Sequence, residues 1–145
     1  IESPGLTASV PIARRVVGML KEHETLKERT DFQPVHKAKV KFSQLPKEEQ
    51  EALIRQDPEY GEIVCRCEQV TKREVRDAIE NPLGVRSLSG IKYRCSVTMG
   101  RCQGGYCLSR IADMLIHEYH MKPEEVTLRG EGSPLFEGFL REDVQ

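Results

Sequence analysis

The feature that most constrains this chain is the arrangement of its cysteines. Cys65 and Cys67 are separated by one residue, Cys102 and Cys107 are separated by four, and 34 residues lie between the two pairs. Two pairs of thiolates brought together by a fold can close a four-sulfur site, and soft thiolates select iron-sulfur clusters and zinc. The chain has five cysteines, an odd number that cannot all pair within one molecule. A thiolate metal site is therefore expected, with unrelated free thiols as the alternative.

The spacing within each pair bears on the choice of metal. Zinc ribbons and fingers usually place paired cysteines about two to four residues apart around one tetrahedral ion. The pair Cys65 and Cys67 is tighter than that. A two-iron rhomb is wider than a single ion and accepts unlike pairs, one per iron or distributed across both. The spacing favours an iron-sulfur cluster and leaves zinc as a serious alternative.

The residues around the second pair favour the cluster further. No acidic residue occurs between Asn81 and Ala112, a stretch that contains five lysines and arginines. Nearby cations stabilise thiolates and raise the reduction potential of a negatively charged cluster, although any one of them is more simply explained as part of a solvated face. Glycine near Cys102 lets backbone amides approach a metal-bound sulfur closely. The basic residues are Arg86, Lys92, Arg94, Arg101 and Arg110, and the glycines are Gly100, Gly104 and Gly105.

At Cys65-Arg66-Cys67-Glu68 and at Met99–Cys107 the chain closely resembles the bacterioferritin-associated-ferredoxin-like 2Fe-2S domain. More narrowly, it is similar to the version fused to the C-terminus of anaerobic-type, FAD-dependent glycerol-3-phosphate dehydrogenases. The resemblance covers about residues 60–130. The free-standing ferredoxin spaces its second cysteine pair by two residues, whereas this chain spaces it by four, as the fused branch does.

The resemblance implies specific roles for the cysteines. The family's four ligands carry over to Cys65, Cys67, Cys102 and Cys107. Cys95 falls where the family's pattern has no ligand and is interpreted as a free or packed thiol, with substitution for another ligand as the alternative. The implied function is electron transfer from the FAD of the preceding domain of the same polypeptide, through a 2Fe-2S cluster, to an unknown acceptor. This stretch alone is not expected to be an enzyme. The alternative function is a structural or regulatory zinc-binding module.

The start of the chain also resembles these flavoenzymes. The segment Ser3–Ala8 followed by a helix is similar to the last turn of their FAD-binding domain, which implies that Gly5, Leu6 and Thr7 approach the flavin in the intact parent. The chain contains no G-x-G-x-x-G motif, so it is not expected to bind FAD by itself.

Composition narrows the remaining classes of function. The formal net charge is -1, and positive and negative charges nearly balance both in residues 1–60 and in residues 61–145, which argues against a nucleic-acid or membrane-surface binder. No apolar run approaches the roughly 18 residues of a membrane span, and no signal-peptide pattern begins the chain, so a cytoplasmic location is expected.

No arrangement of side chains indicates a catalytic site. His117 and His120, three residues apart, are interpreted as surface residues at a helix end, and His23 and His36 show no partner pattern.

The predicted fold is mostly α: a small helical, cysteine-ligated domain of helix-loop-helix type, preceded by a helical segment and a linker. Residues 1–25 are predicted to end the FAD-binding domain, residues 26–59 to form a linker with one helix, residues 60–130 to form the 2Fe-2S domain, and residues 131–145 to form a tail. Apolar spacing and capping residues predict helices over residues 10–24, 43–57, 71–80 and from 104 or 106 to 120, with a short turn near residue 123. Residues 25–45 are predicted to be linker, with a short strand as the alternative near residues 37–42. Residues 83–98 are predicted to be a loop or a short extended segment.

Overall fold

The computed structural model describes residues 4–35 and 38–138. The chain divides into two compact units, the first ending at Ala38 and the second beginning at Lys39. His36, which has no predicted role, lies outside the described residues. Within the described residues, no helix combines the length and the apolar character that crossing a membrane requires.

The first unit contains one long helix, α1 (Gly5–His23). The predicted helix is confirmed, but its predicted start at Val10 is wrong, because the helix begins five residues earlier. Pro11, expected in the first turn, therefore lies inside the helix. Proline has no N–H group, so one intrahelical hydrogen bond is absent at this position. None of the residues of α1 is buried.

The second unit opens with a 3-10 turn (Phe42–Gln44), followed by α2 (Lys47–Gln56) and another 3-10 turn (Pro58–Gly61). The prediction of one continuous helix from Ser43 to Asp57 is wrong at its start. Leu45 precedes a proline, which disfavours helical backbone angles, and it is extended with ψ 150°. Residues 38–41 form neither helix nor strand.

A short antiparallel pair of strands precedes the first helix of the core. Strand β1 (Ile63–Cys65) pairs with β2 (Val70–Thr71). Helix α3 (Lys72–Ile79) follows directly, and the predicted capping box at its start is confirmed: Thr71 Oγ1 accepts from the Glu74 N–H, and Glu74 Oε2 accepts from the Thr71 N–H.

Helix α4 (Leu88–Cys95) occupies the stretch that was predicted to be a loop or extended segment, so that prediction is wrong. The eight-residue helix contains Gly90, and little apolar periodicity marks it in the sequence. Tertiary contacts stabilise it instead. The Ser87 hydroxyl accepts from the Gly90 N–H, and the N–H groups of Leu88 and Ser89 donate to carbonyls of the chain segment at Thr127 and Leu128.

The last long helical segment consists of α5 (Cys107–Asp113) and a π-helical turn (Met114–Glu118). The predicted helix and the predicted turn near residue 123 (Pro123–Glu125) are both confirmed. The mostly α fold class is confirmed as well. The core lies where β1, β2, α3, α4 and α5 meet. Its fully buried large side chains include Val64, Val75, Ile79, Ile91, Val97, Ile111, Leu115 and Val126.

Candidate metal centre

Four cysteines approach one another from two parts of the fold. Cys65 ends β1 and Cys67 lies in the turn that follows, whereas Cys102 lies in the loop before α5 and Cys107 is the first residue of α5. The Cys67 thiol is the strongest influence on the pKa of Cys102, and the Cys65 thiol also acts on the pKa of Cys107, so these thiols lie next to each other in two pairs. Each sulfur pair thus contains one residue from each sequence motif.

The two sulfur pairs differ in exposure. Cys65 and Cys107 are buried, at 1% and 0% exposure, whereas Cys67 and Cys102 are exposed. Nowhere in residues 4–35 and 38–138 do three or more His, Cys, Asp or Glu side chains converge in a way that suits a single metal ion. The sulfur atoms instead form one inner pair and one outer pair.

The outer sulfur of Cys102 is surrounded by hydrogen-bond donors. The neighbouring Cys67 thiol is the largest cause of a lowered pKa at Cys102. The backbone N–H groups of Tyr106, Gly104 and Gly105 lower that pKa further, because they stabilise the thiolate. The sequence predicted that glycines near Cys102 let backbone amides approach a sulfur closely. Two of these three amides belong to glycines, Gly104 and Gly105.

The inner sulfur of Cys107 has the opposite environment. Burial raises the pKa of Cys107 to about 11, and the charge of Cys65 adds to the rise, while the backbone N–H of Thr98 opposes it. As a free thiol this side chain is protonated at neutral pH. Nearby cations or a bound metal compensate the negative charge of the thiolate and can make the deprotonated form of Cys107 the favoured one.

The loop between α4 and α5 follows an unusual backbone path. Ser96, Thr98 and Gln103 have positive φ angles of 66°, 63° and 48°, and Gly104 has a φ of 92°. Such conformations cost free energy in residues other than glycine and persist where the surrounding structure requires them. The loop thereby places the amides of Thr98 and Gly104 near different cysteine sulfurs.

Gly100 makes room for the turn that carries Cys67. A Cβ atom at position 100 would collide with the Cβ atom of Cys67 and lie 3.2 Å from its Sγ atom. Gly100 is also buried. Only a residue without a side chain permits this approach of the two cysteine-bearing segments.

A second contact between the segments involves Tyr106, which directly precedes Cys107. The guanidinium carbon of Arg66 lies 4.2 Å from the centre of the Tyr106 ring, and that of Arg110 lies 4.9 Å from it. Arg110 is among the basic residues that the sequence pattern indicated, whereas Arg66 and Tyr106 were missed as candidate residues. Arg66 and Tyr106 each lie next to a cysteine in the sequence, and this adjacency was the signal that could have identified them.

The remaining candidate residues lie elsewhere. Cys95 is half-buried, its thiol donates to the Ile91 carbonyl at 3.3 Å, and burial raises its pKa to about 11. His117 is exposed and lies 3.2 Å from the Asp113 carboxylate, and His120 is also exposed. Gly5, Leu6 and Thr7 are exposed in the first turn of α1, in the other unit of the chain.

Residues 63–117, which contain all four cysteines of the two pairs, match the family model of the BFD-like 2Fe-2S binding domain. This part of the chain belongs to that family. The donor set of the BFD-like domain fits a 2Fe-2S cluster, because four thiols stand in two pairs, N–H groups stabilise the outer sulfur of Cys102, and Gly100 leaves the space that their approach requires.

Curated relatives place the BFD-like domain in larger proteins. A glycerol 3-phosphate dehydrogenase of Caloramator mitchellensis is 35% identical over 146 aligned residues, which cover 100% of this chain and 30% of the relative. One subunit of the anaerobic glycerol-3-phosphate dehydrogenase of Escherichia coli K12 is 49% identical over 53 residues, 37% of this chain and 10% of the relative. The HcnB subunit of the hydrogen cyanide synthase of Pseudomonas aeruginosa is 42% identical over 53 residues, 37% of this chain and 11% of the relative.

The chain thus spans less than a third of the length of these relatives. It is similar along its whole length to part of the Caloramator protein, and over 53 residues to each of the other two. No solved structure matches the chain.

Proposed function

We propose that this chain is an electron-transfer module that holds a 2Fe-2S cluster through Cys65, Cys67, Cys102 and Cys107. The observation that carries the proposal is the assembly of these thiols into an inner and an outer pair within a BFD-like domain. A 2Fe-2S cluster supplies one-electron redox chemistry when it is bound.

The protein surroundings suit that role. Burial of Cys65 and Cys107 keeps water from one side of the site, and exposure of Cys67 and Cys102 leaves the other side open to a redox partner. Backbone N–H groups at Cys102 stabilise thiolate charge without adding a mobile side chain.

The proposed electron source is the FAD of a glycerol-3-phosphate dehydrogenase of which this chain is the C-terminal part. Similarity over the full chain to a relative with that name supports this. In the longer protein, Gly5, Leu6 and Thr7 at the start of α1 are proposed to approach the flavin. A cytoplasmic location is proposed with it, since all five cysteines are free of disulfides.

Anaerobic reconstitution with iron and sulfide tests the ligand assignment. We expect about two irons per chain, visible absorption and a paramagnetic signal after reduction, all of which should be lost in Cys102→Ser and retained in Cys95→Ser. A normal cluster in Cys102→Ser would refute the assignment. Stoichiometric zinc without a reducible iron signal would favour a structural or regulatory zinc module instead.

The relay is tested in the full-length protein by rapid mixing with glycerol 3-phosphate. Flavin reduction should be followed by bleaching of the cluster absorption, and in Cys102→Ser the flavin should be reduced without the second phase. Flavin reduction in the normal protein with no change at the cluster would contradict the relay.

A further inference from the structure

Tyr106 connects the two cysteine motifs, because its backbone lies at the second motif and its ring contacts Arg66 of the first. It is half-buried and directly precedes α5, whose first residue is Cys107. Its backbone N–H is one of the groups that stabilise the Cys102 thiolate. The backbone of one residue is thus linked to both cysteines of the second motif.

The side chain of Tyr106 reaches the first motif. Its ring lies 4.2 Å from the guanidinium carbon of Arg66, the residue between Cys65 and Cys67. Cation-π contacts of this kind contribute modestly at exposed positions, and Arg66 is exposed. The contact restrains a side chain that is otherwise free to extend into solvent.

Arg110 anchors the same cluster of side chains to β1. Its guanidinium carbon lies 4.9 Å from the Tyr106 ring centre, and its Nη1 donates to the Ile63 carbonyl at 3.1 Å. Arg110 also lines a cleft whose other charged residues are Glu62, Lys72, Asp113 and Glu118. Arg66 is the arginine that lies within the first cysteine motif, whereas Arg110 links the Tyr106 ring to β1.

We propose that Tyr106 is a positioning residue that holds the Arg66 charge beside the cysteine pairs, and thereby stabilises the bound cluster and raises its reduction potential. The inference rests on the proposed function, because it assumes the four-cysteine ligand set. A reduced cluster carries more negative charge than an oxidised one, so a positive charge kept nearby stabilises the reduced state more.

The test compares reconstituted variants by midpoint potential and by the half-life of the cluster absorption in the presence of an iron chelator. Tyr106→Leu should shorten the half-life about two- to fivefold, the factor that loss of an exposed cation-π contact represents, and shift the potential to more negative values. Arg66→Gln should shift the potential in the same direction. Tyr106→Phe and Arg66→Lys, which keep the ring and the charge, should stay close to the unsubstituted protein.

The matched control is Tyr93→Leu, since Tyr93 is a tyrosine of α4 with 76% exposure. Equal potentials in Tyr106→Leu and Tyr93→Leu would overturn the inference, and so would an unchanged potential in Arg66→Gln. If Tyr106→Leu fails to fold, Arg66→Gln decides, because it alters only an exposed side chain. A reducible cluster in the unsubstituted protein with no shift in these variants refutes this inference alone, whereas absence of any reducible cluster refutes the proposed function and this inference with it.

Discussion

The four cysteines differ as individual residues, although they form two simple motifs in the sequence. Each motif contributes one buried sulfur and one exposed sulfur, so the pairs that meet in space are Cys65 with Cys107 and Cys67 with Cys102. A strand end buries Cys65 and a helix start buries Cys107. The adjacent turn and loop leave the other two cysteines open to solvent.

This difference predicts the order in which the metal-free protein is alkylated. Cys102 is exposed and should react with iodoacetamide at least about tenfold faster than the buried Cys107, because alkylation requires an accessible thiolate. Peptide mapping by mass spectrometry at successive times measures both rates. The same reaction in denaturant is the control, where the two rates should converge. Equal rates in the folded protein would contradict the described burial.

Gly100 predicts a second effect at the residue scale. Gly100→Ala should push Cys67 away from its position and lower the free energy of unfolding by about 1–3 kcal/mol, the usual cost of overpacking. Iron content after reconstitution and urea denaturation of the metal-free protein measure the two consequences.

Gly61→Ala is the matched control, because a Cβ atom there would meet the Ile54 side chain at an ordinary 3.5 Å. A Gly100→Ala variant that binds iron and unfolds like Gly61→Ala would show that the space above Cys67 has no role.

At the scale of elements, the start of α3 is fixed by the hydrogen bonds between Thr71 and Glu74. Thr71 is fully buried, and its hydroxyl donates to Glu74 Oε2 at 2.9 Å while it accepts from the Glu74 N–H. Glu74 Oε1 also accepts from the Phe42 N–H at 3.3 Å, which ties the turn at Phe42–Gln44 to the start of α3. The local capping motif therefore also makes a tertiary contact.

Thr71→Ala should lower the free energy of unfolding by about 0.5–2 kcal/mol, because the N-cap hydroxyl is lost and the Glu74 N–H has no other partner in the capping box. Urea denaturation measures the change. Thr71→Ser, which retains the hydroxyl, should recover most of the loss. An equal loss in both variants would assign the effect to the threonine methyl group rather than to the cap.

At the scale of the whole second unit, Arg76 joins segments that are far apart in sequence. It donates to Glu59 at 2.6 and 2.7 Å and to Glu118 at 2.6 Å, and Lys72 lies 2.8 Å from Glu118. The hydrogen bond from Arg76 is the main cause of a lowered pKa at Glu59, and the hydrogen bond from Lys72 is the main cause of a lowered pKa at Glu118.

Carboxylates with lowered pKa values stabilise the folded state above their unfolded pKa, and this contribution is lost as the pH falls through the folded value. The metal-free protein should therefore lose stability as the pH decreases from about 4.5, the ordinary glutamate value. Arg76→Gln should be less stable at pH 7 and should lose less on acidification. Urea denaturation at pH 7, 4.5 and 3.5 measures both effects.

Arg55→Gln is the control, since the contact of Arg55 with Glu51 is long, at 3.9 Å, and exposed. Identical acid dependence in Arg76→Gln and in the unsubstituted protein would contradict a stabilising role for the network.

The sequence by itself determined the features that depend on local chemistry. The mostly α class, the capping box at Thr71 and the cysteine motifs are all short-range patterns, and a resemblance carried by two short motifs, Cys65–Glu68 and Met99–Cys107, predicted the domain. The family match covers residues 63–117.

Only the tertiary structure decided the rest. Helix α4 has weak periodicity and depends on carbonyls at Thr127 and Leu128, so no local pattern could predict it. The pairing of sulfurs across the motifs, the space at Gly100 and the contact between Arg66 and Tyr106 require segments more than thirty residues apart to meet. Local sequence encodes hydrogen bonds and apolar faces, whereas burial and partner choice depend on how distant elements pack.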